Sequence, residues 1–293
     1  MPSTDEVVSI IEAMLLQETK YVASDYLFQS SPQRPTATGP LHASVSVDSD
    51  CRTKMVSWCF QVVDFCKFQR ETVSIAINYL DRFMATPASS LAHSDRKVFQ
   101  LAAMTCLYTA VKIHEPEAMD PKLVSTLSRG TYSPQEVEAM EANILGALQW
   151  RMNPPTSLSF VRLFLDLLPA DFLTATQRET AYELSKFQTE LAVNEYDFIS
   201  VKPSIVAYSS LVNALESLCL DDGLLSHISF GLSESAKIDM HADKIFEVQN
   251  WLYQSVSAQP GNMVRQPTAT SPSPSKVSRR SSFEASPRSV SCQ

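Results

Sequence analysis

Catalysis needs reactive groups held in fixed relations, and this sequence offers few of them. Its five histidines (His42, His93, His114, His227, His241) are scattered, and no His-Glu-x-x-His occurs. With only 6 glycines in 293 residues there is no phosphate-cradling loop, and neither a Gly-x-Ser-x-Gly elbow nor a kinase catalytic-loop motif is present. Six cysteines (Cys51, Cys59, Cys66, Cys106, Cys219, Cys292) never form a Cys-x-x-Cys pair, and three occupy apolar positions of helical patterns. They read as reduced core thiols, which predicts neither zinc nor disulfides. The reading is a protein that is not an enzyme and holds no cofactor or metal.

What remains is placed charge. Lys112 closes one long helical pattern and Glu141 lies on a neighbouring one. Together they could present a paired charge to a partner's backbone and side chains, although by spacing alone an ordinary ion pair capping a bundle fits as well. Arg52 and Asp81 fall on adjacent patterns and read as a structural pair holding helices together.

The elements that must position these charges are helical throughout. Val7, Val8, Ile11, Met14 and Leu15 make one apolar stripe over residues 5–20. A linker rich in Ser, Pro and Thr follows at 29–50. From Arg52 onward, Met55, Cys59, Val62, Val63 and Cys66 share a face, as do Val73, Ala76, Ile77, Leu80 and Met84. The third pattern, roughly Asp95 to His114, carries small residues on several faces (Ala102, Ala103, Thr105, Cys106, Thr109, Ala110), which lets neighbours approach from all sides. It is read as the central helix of a bundle. A short helix near Pro121–Leu127 precedes one with a capping box, Ser133 and Glu136 around Pro134, and a stripe of Val137, Met140, Ile144, Leu145 and Leu148.

After Asn153-Pro154-Pro155 the layout recurs: Leu158–Leu168, Gln177–Val193, Pro203–Leu218, a short piece near Leu224–Ile228, and Ser233–Val256. The expected fold is all-α, with two tandem five-helix repeats. Its divisions are an N-terminal helix and linker (1–50), a first repeat (51–153), a second (154–256) and a tail (257–293). The tail holds ten serines and five prolines and is predicted to be disordered. It carries a net +4 against −8 for the whole chain, so the body is acidic and a poor match for nucleic acid. No run of 18 apolar residues occurs and the N-terminus is acidic, which predicts a soluble intracellular protein without a membrane span.

Several motifs, in order, carry a resemblance. Cys51-Arg52-Thr53-Lys54-Met55-Val56-Ser57-Trp58, followed by Asn78-Tyr79-Leu80-Asp81-Arg82-Phe83-Met84, closely resembles the cyclin box. The likeness continues through Leu107-Tyr108-Thr109-Ala110-Val111-Lys112, Tyr132-Ser133-Pro134-Gln135-Glu136, Met140-Glu141 and Leu148-Gln149-Trp150. Within that family the chain looks most like the G1, D-type branch, although its Leu15-Leu16-Gln17-Glu18 lacks the cysteine of a Leu-x-Cys-x-Glu motif.

The resemblance implies a non-catalytic regulatory subunit that binds and activates a cyclin-dependent serine/threonine kinase in G1 cell-cycle control, found in nucleus and cytoplasm. It implies kinase contact through Lys112 and Glu141. It also implies a dock on the first box helix for Arg-x-Leu segments of substrates or kinase inhibitors, including Cys51, Met55, Trp58 and Gln61. An apolar stripe at that spacing is equally a core face. Ser271, Ser273 and Ser286 precede prolines and Ser282 follows Arg279-Arg280, so the tail offers candidate phosphorylation sites. The rival readings are a cyclin-fold transcription adaptor, which would need basic DNA-facing surfaces, and a helical scaffold that engages no kinase.

Overall fold

Helix starts are written into the chain as side chains that satisfy the first free backbone amides. Ser3 with Glu6, Ser133 with Glu136 and Thr174 with Gln177 form reciprocal capping boxes, and Asp48, Asp95 and Asp120 accept from the amides of Cys51, Lys97 and Lys122. The computed structural model describes residues 3–27, 46–169, 171–218, 220, 222–236 and 243–257. Among the described residues there are twelve α-helices and no strand.

The helix α1 (Thr4–Glu18) precedes a first group of α2 (Ser49–Cys66), α3 (Glu71–Met84), the one-turn α4 (Ser90–Ser94), α5 (Arg96–His114), α6 (Pro121–Leu127) and α7 (Pro134–Ala147). The second group is α8 (Ser157–Leu167), α9 (Ala175–Asn194), α10 (Pro203–Glu216), α11 (Asp222–Ala236) and α12 (Asp243–Ser257). The short piece read near Leu224–Ile228 is thus a 15-residue helix. It takes in residues 233–236, which the apolar pattern had assigned to the last helix, because Leu232 and Ser233 continue its buried side. Of the tail, Ser257 is the last residue of α12, and residues 258–293 lie outside the described residues.

In the first group α5 is central. Ala102, Ala103, Thr105, Cys106, Thr109 and Ala110 are all buried, and α2, α3, α4, α6 and α7 pack around it. Small side chains make this possible, since a helix ringed by neighbours has no face left for bulk. In the second group α10 plays the same part, touching α8, α9, α11 and α12, with Ala207, Ser209, Ser210 and Ala214 buried.

The helix α1 does not join the nearer group. Its Val7 and Ile11 are enclosed in the second core with Phe160, Phe164, Leu211 and Ile245. Glu18, 1% exposed, accepts from the amide (3.0 Å) and hydroxyl (2.8 Å) of Ser204 at the start of α10. The irregular stretch after α1 then crosses to the first group, where Tyr26 enters that core.

Candidate functional site

Two ion pairs of like chemistry sit in unlike surroundings. Lys112, in the last turn of α5, directs Nζ to both carboxylate oxygens of Glu141 on α7, each at 3.1 Å. The lysine side chain is 49% exposed and the glutamate 11%. Glu141 is therefore fixed by packing while the ammonium reaches out over it, 5.5 Å from the Tyr108 ring. The hydrogen bond to Glu141 pushes the Lys112 pKa above its ordinary value, so the ammonium stays charged at any physiological pH. Next in sequence, Ile113 is 46% exposed, an apolar contact beside a polar one.

The second pair is buried. Arg52 on α2 grips Asp81 on α3 with two parallel bonds, Nε to Oδ1 at 2.9 Å and Nη2 to Oδ2 at 2.8 Å. Its remaining nitrogen, Nη1, donates to the Val193 carbonyl at 2.9 Å, at the C-terminal end of α9. The free carbonyls of a helix end carry partial negative charge, which suits a guanidinium. Tyr26 donates to Asp81 Oδ1 at 3.0 Å, and the Tyr196 hydroxyl accepts from the amides of Tyr26 (3.1 Å) and Leu27 (2.9 Å) while donating to Asp25 (2.8 Å). Arg52 and Asp81 thus bind the two helical groups and the segment after α1 into one network.

The first box helix resolves the two readings left open for its stripe. Cys51 and Met55 are fully enclosed in the first core and Trp58 is only 4% exposed, while Gln61 is on the surface. For Cys51 and Met55 the stripe faces α3 and α5 as core, so these side chains offer no dock. At the exposed Lys54 the ammonium pairs instead with Asp50 at 2.7 Å. Cys51, Cys59 and Cys106 are buried free thiols and Cys66 is partly buried; burial pushes the Cys59 pKa up to about 12. Cys219, Cys292 and the serines at 271, 273, 282 and 286 lie outside the described residues.

Contacts between the groups went unread in the sequence. Arg70 binds Asp64 (2.6 Å) and Glu190 of α9 (2.9 Å). Glu71 at the start of α3 meets Thr156, Ser159 (2.9 Å) and Arg162 (2.7 Å) around the start of α8. Apart from Asp64, six residues from Arg70, the partners lie about 85 to 170 residues apart, beyond any local spacing rule. No helix among the described residues is long and apolar enough to cross a membrane.

Comparison with known proteins places this geometry. Residues 9–153 match the family model described as cyclin, N-terminal domain, and residues 155–286 match cyclin, C-terminal domain. Cyclin-A2-2 of Arabidopsis thaliana is 28% identical over 179 residues, 61% of this chain and 39% of that protein. The G1/S-specific cyclin-D2 of Gallus gallus is 27% identical over 174 residues, 59% of this chain and 56% of that protein. The chain spans about two fifths to just over half the length of these relatives. Among solved structures, the X-ray structure of a viral cyclin from herpesvirus saimiri shares the fold, with a TM-score of 0.61, 16% identity, and coverage of 84% of this chain and 97% of that one.

Proposed function

We propose that this chain, which belongs to the cyclin family, is a regulatory subunit that binds and activates a cyclin-dependent protein kinase and contributes no catalytic group of its own. The observation that carries the reading is the Lys112–Glu141 pair, preformed on the surface beside the exposed Ile113. A fixed carboxylate under a reachable ammonium supplies two strong hydrogen-bonding charges whose geometry is set before a partner arrives, which lowers the ordering cost of binding. The partner fitted to it is the mobile helix of a kinase. Held inward, that helix completes the kinase's own Lys–Glu ion pair and orders its activation segment, so this chain biases a conformational equilibrium while the kinase performs phosphoryl transfer.

Within that role we place the chain in G1 control, supported by the motif resemblance and by similarity to cyclin-D2; the similarity to A-type cyclins is of the same order. Nucleus and cytoplasm are the proposed locations. The basic Ser-Pro segment, phosphorylated at Ser271, Ser273, Ser282 or Ser286, would tune turnover or nuclear entry by reversing its local charge. Deleting residues 258–293 should change half-life or location, and an unchanged pair of readouts would remove this role.

The central test is the variant carrying Lys112→Ala and Glu141→Ala. Kinase activity co-purifying with the full chain should be lost while helical circular dichroism is unchanged. Retained kinase with the double variant would sink the assignment of this pair as the contact.

A further inference from the structure

A second arginine, Arg82, sits on α3 next to the buried pair and has no such partner. It is 8% exposed. Its Nη1 donates to the Arg151 carbonyl at 2.9 Å and to Asn78 Oδ1 at 3.4 Å, and its guanidinium stacks on the Tyr21 ring at 4.6 Å. Among the described residues its Nε and Nη2 have no hydrogen-bond partner, and no carboxylate pairs with it. Burying a guanidinium without a counter-charge is costly.

The chain beyond α7 brings a second cation to the same place. Gln149 and Trp150 are both left-handed, with φ of 54° and 59°, a conformation unfavourable for a non-glycine residue. The paired turn carries Arg151 back against α3, where its carbonyl meets Arg82 and the exposed residue joins the lining of a surface cavity of about 300 Å³. Arg82 lines it too, with Thr86 and the Val22–Ser24 stretch, and no acidic residue is in the lining. Arg151 forms no ion pair among the described residues. Burial lowers the Arg82 pKa, and the like charge of Arg151 acts in the same direction. Two cations thus converge on one acid-free cavity in a chain of net charge −8.

We propose that this cavity binds a phosphate monoester on a serine or threonine side chain, its dianion held between Arg82 and Arg151. Guanidinium forks match phosphate oxygens, a phosphomonoester near neutrality carries about −1.5 to −2 charge, and the cavity has room for the group and its short stem. The phosphorylated residue comes either from the Ser-Pro segment of this same chain or from another protein. Neither Lys112 nor Glu141 lines this cavity, although Ala147 at the end of α7 does.

Isothermal titration calorimetry on the full chain tests it, with inorganic phosphate and with a peptide of residues 267–278 made with and without phosphate on Ser271 and Ser273. Phosphate should bind, and the phosphorylated peptide should bind while its unmodified twin does not. Arg151→Gln, an exposed change that leaves the fold intact, should weaken binding at least about tenfold, whereas Lys20→Gln should not. A phosphopeptide tighter than phosphate assigns the source to this chain, and one no tighter than phosphate assigns it to another. No heat with phosphate at about 10 mM, or equal affinity for wild type and Arg151→Gln, overturns the proposal.

Discussion

Lys112–Glu141 and Arg52–Asp81 are both cation–carboxylate pairs between neighbouring helices, yet burial gives them opposite work. Arg52 and Asp81 have side-chain exposures of 4% and 7%, and every strong donor and acceptor is taken up inside the protein. Lys112 is half exposed and its ammonium retains bonding capacity toward solvent or a partner. A pair already satisfied from within can only hold the fold, while a pair with one open member can also recognise something. The same residue types carry either role, and the surroundings decide.

The largest expected effect strikes the buried pair. Arg52→Ala strands the Asp81 carboxylate and should lower unfolding free energy by about 3–5 kcal/mol, measured by urea denaturation of the full chain. A loss under about 1 kcal/mol would place Arg52 with the surface pairs. Next, Tyr196→Phe removes the acceptor for two backbone amides at once and should cost about 1–3 kcal/mol, read in the same way. Were it neutral, the clasp between the groups would not be part of the buried network.

A third carboxylate, Glu18, sharpens the contrast because it is buried with neutral donors only. Burial holds its pKa above the ordinary value of 4.5, against the pull of the Ser204 bonds. The folded state therefore keeps its proton to higher pH than the unfolded chain does. The stabilising share is full below pH 4.5 and is lost as pH rises through the folded value. Glu18→Gln should accordingly flatten the slope of stability as pH rises above 4.5, seen in denaturation midpoints across a pH series; an unchanged slope would show that Glu18 does not drive it. The smallest stability change belongs to the double Lys112→Ala, Glu141→Ala variant, about 1 kcal/mol or less, in the thermal midpoint. A drop as large as that of Arg52→Ala would mean the surface pair is structural after all.

How much was legible beforehand follows the distance over which each signal acts. The Ser133–Glu136 box and the small residues of α5 are local patterns and both helices stand where those patterns lie, α7 beginning at Pro134 and α5 spanning Arg96–His114. The division between α11 and α12 was misread because Leu232 and Ser233 fit either helix by period. The partners of Arg52, Lys112 and Glu141 along neighbouring helices were within reach of the sequence. The Val193 carbonyl, the Tyr196 hydroxyl and the Arg151 carbonyl were not, since bonds to or from backbone groups and left-handed turns such as Gln149-Trp150 leave no mark in residue spacing.

The seat of α1 sets an order of events during synthesis. Val7 and Ile11 leave the ribosome well before the rest of their core, which includes residues as late as Leu232 and Ile245. The first helical group holds its own core around α5 and can form while the rest is still being made, as domains generally do. Through that interval the apolar stripe of α1 has no partner, and it closes only when more than two hundred further residues have followed it. The earliest of the described helices is thus among the last to be seated, and docking α1 onto α8, α10 and α11 reports that the second core has been made.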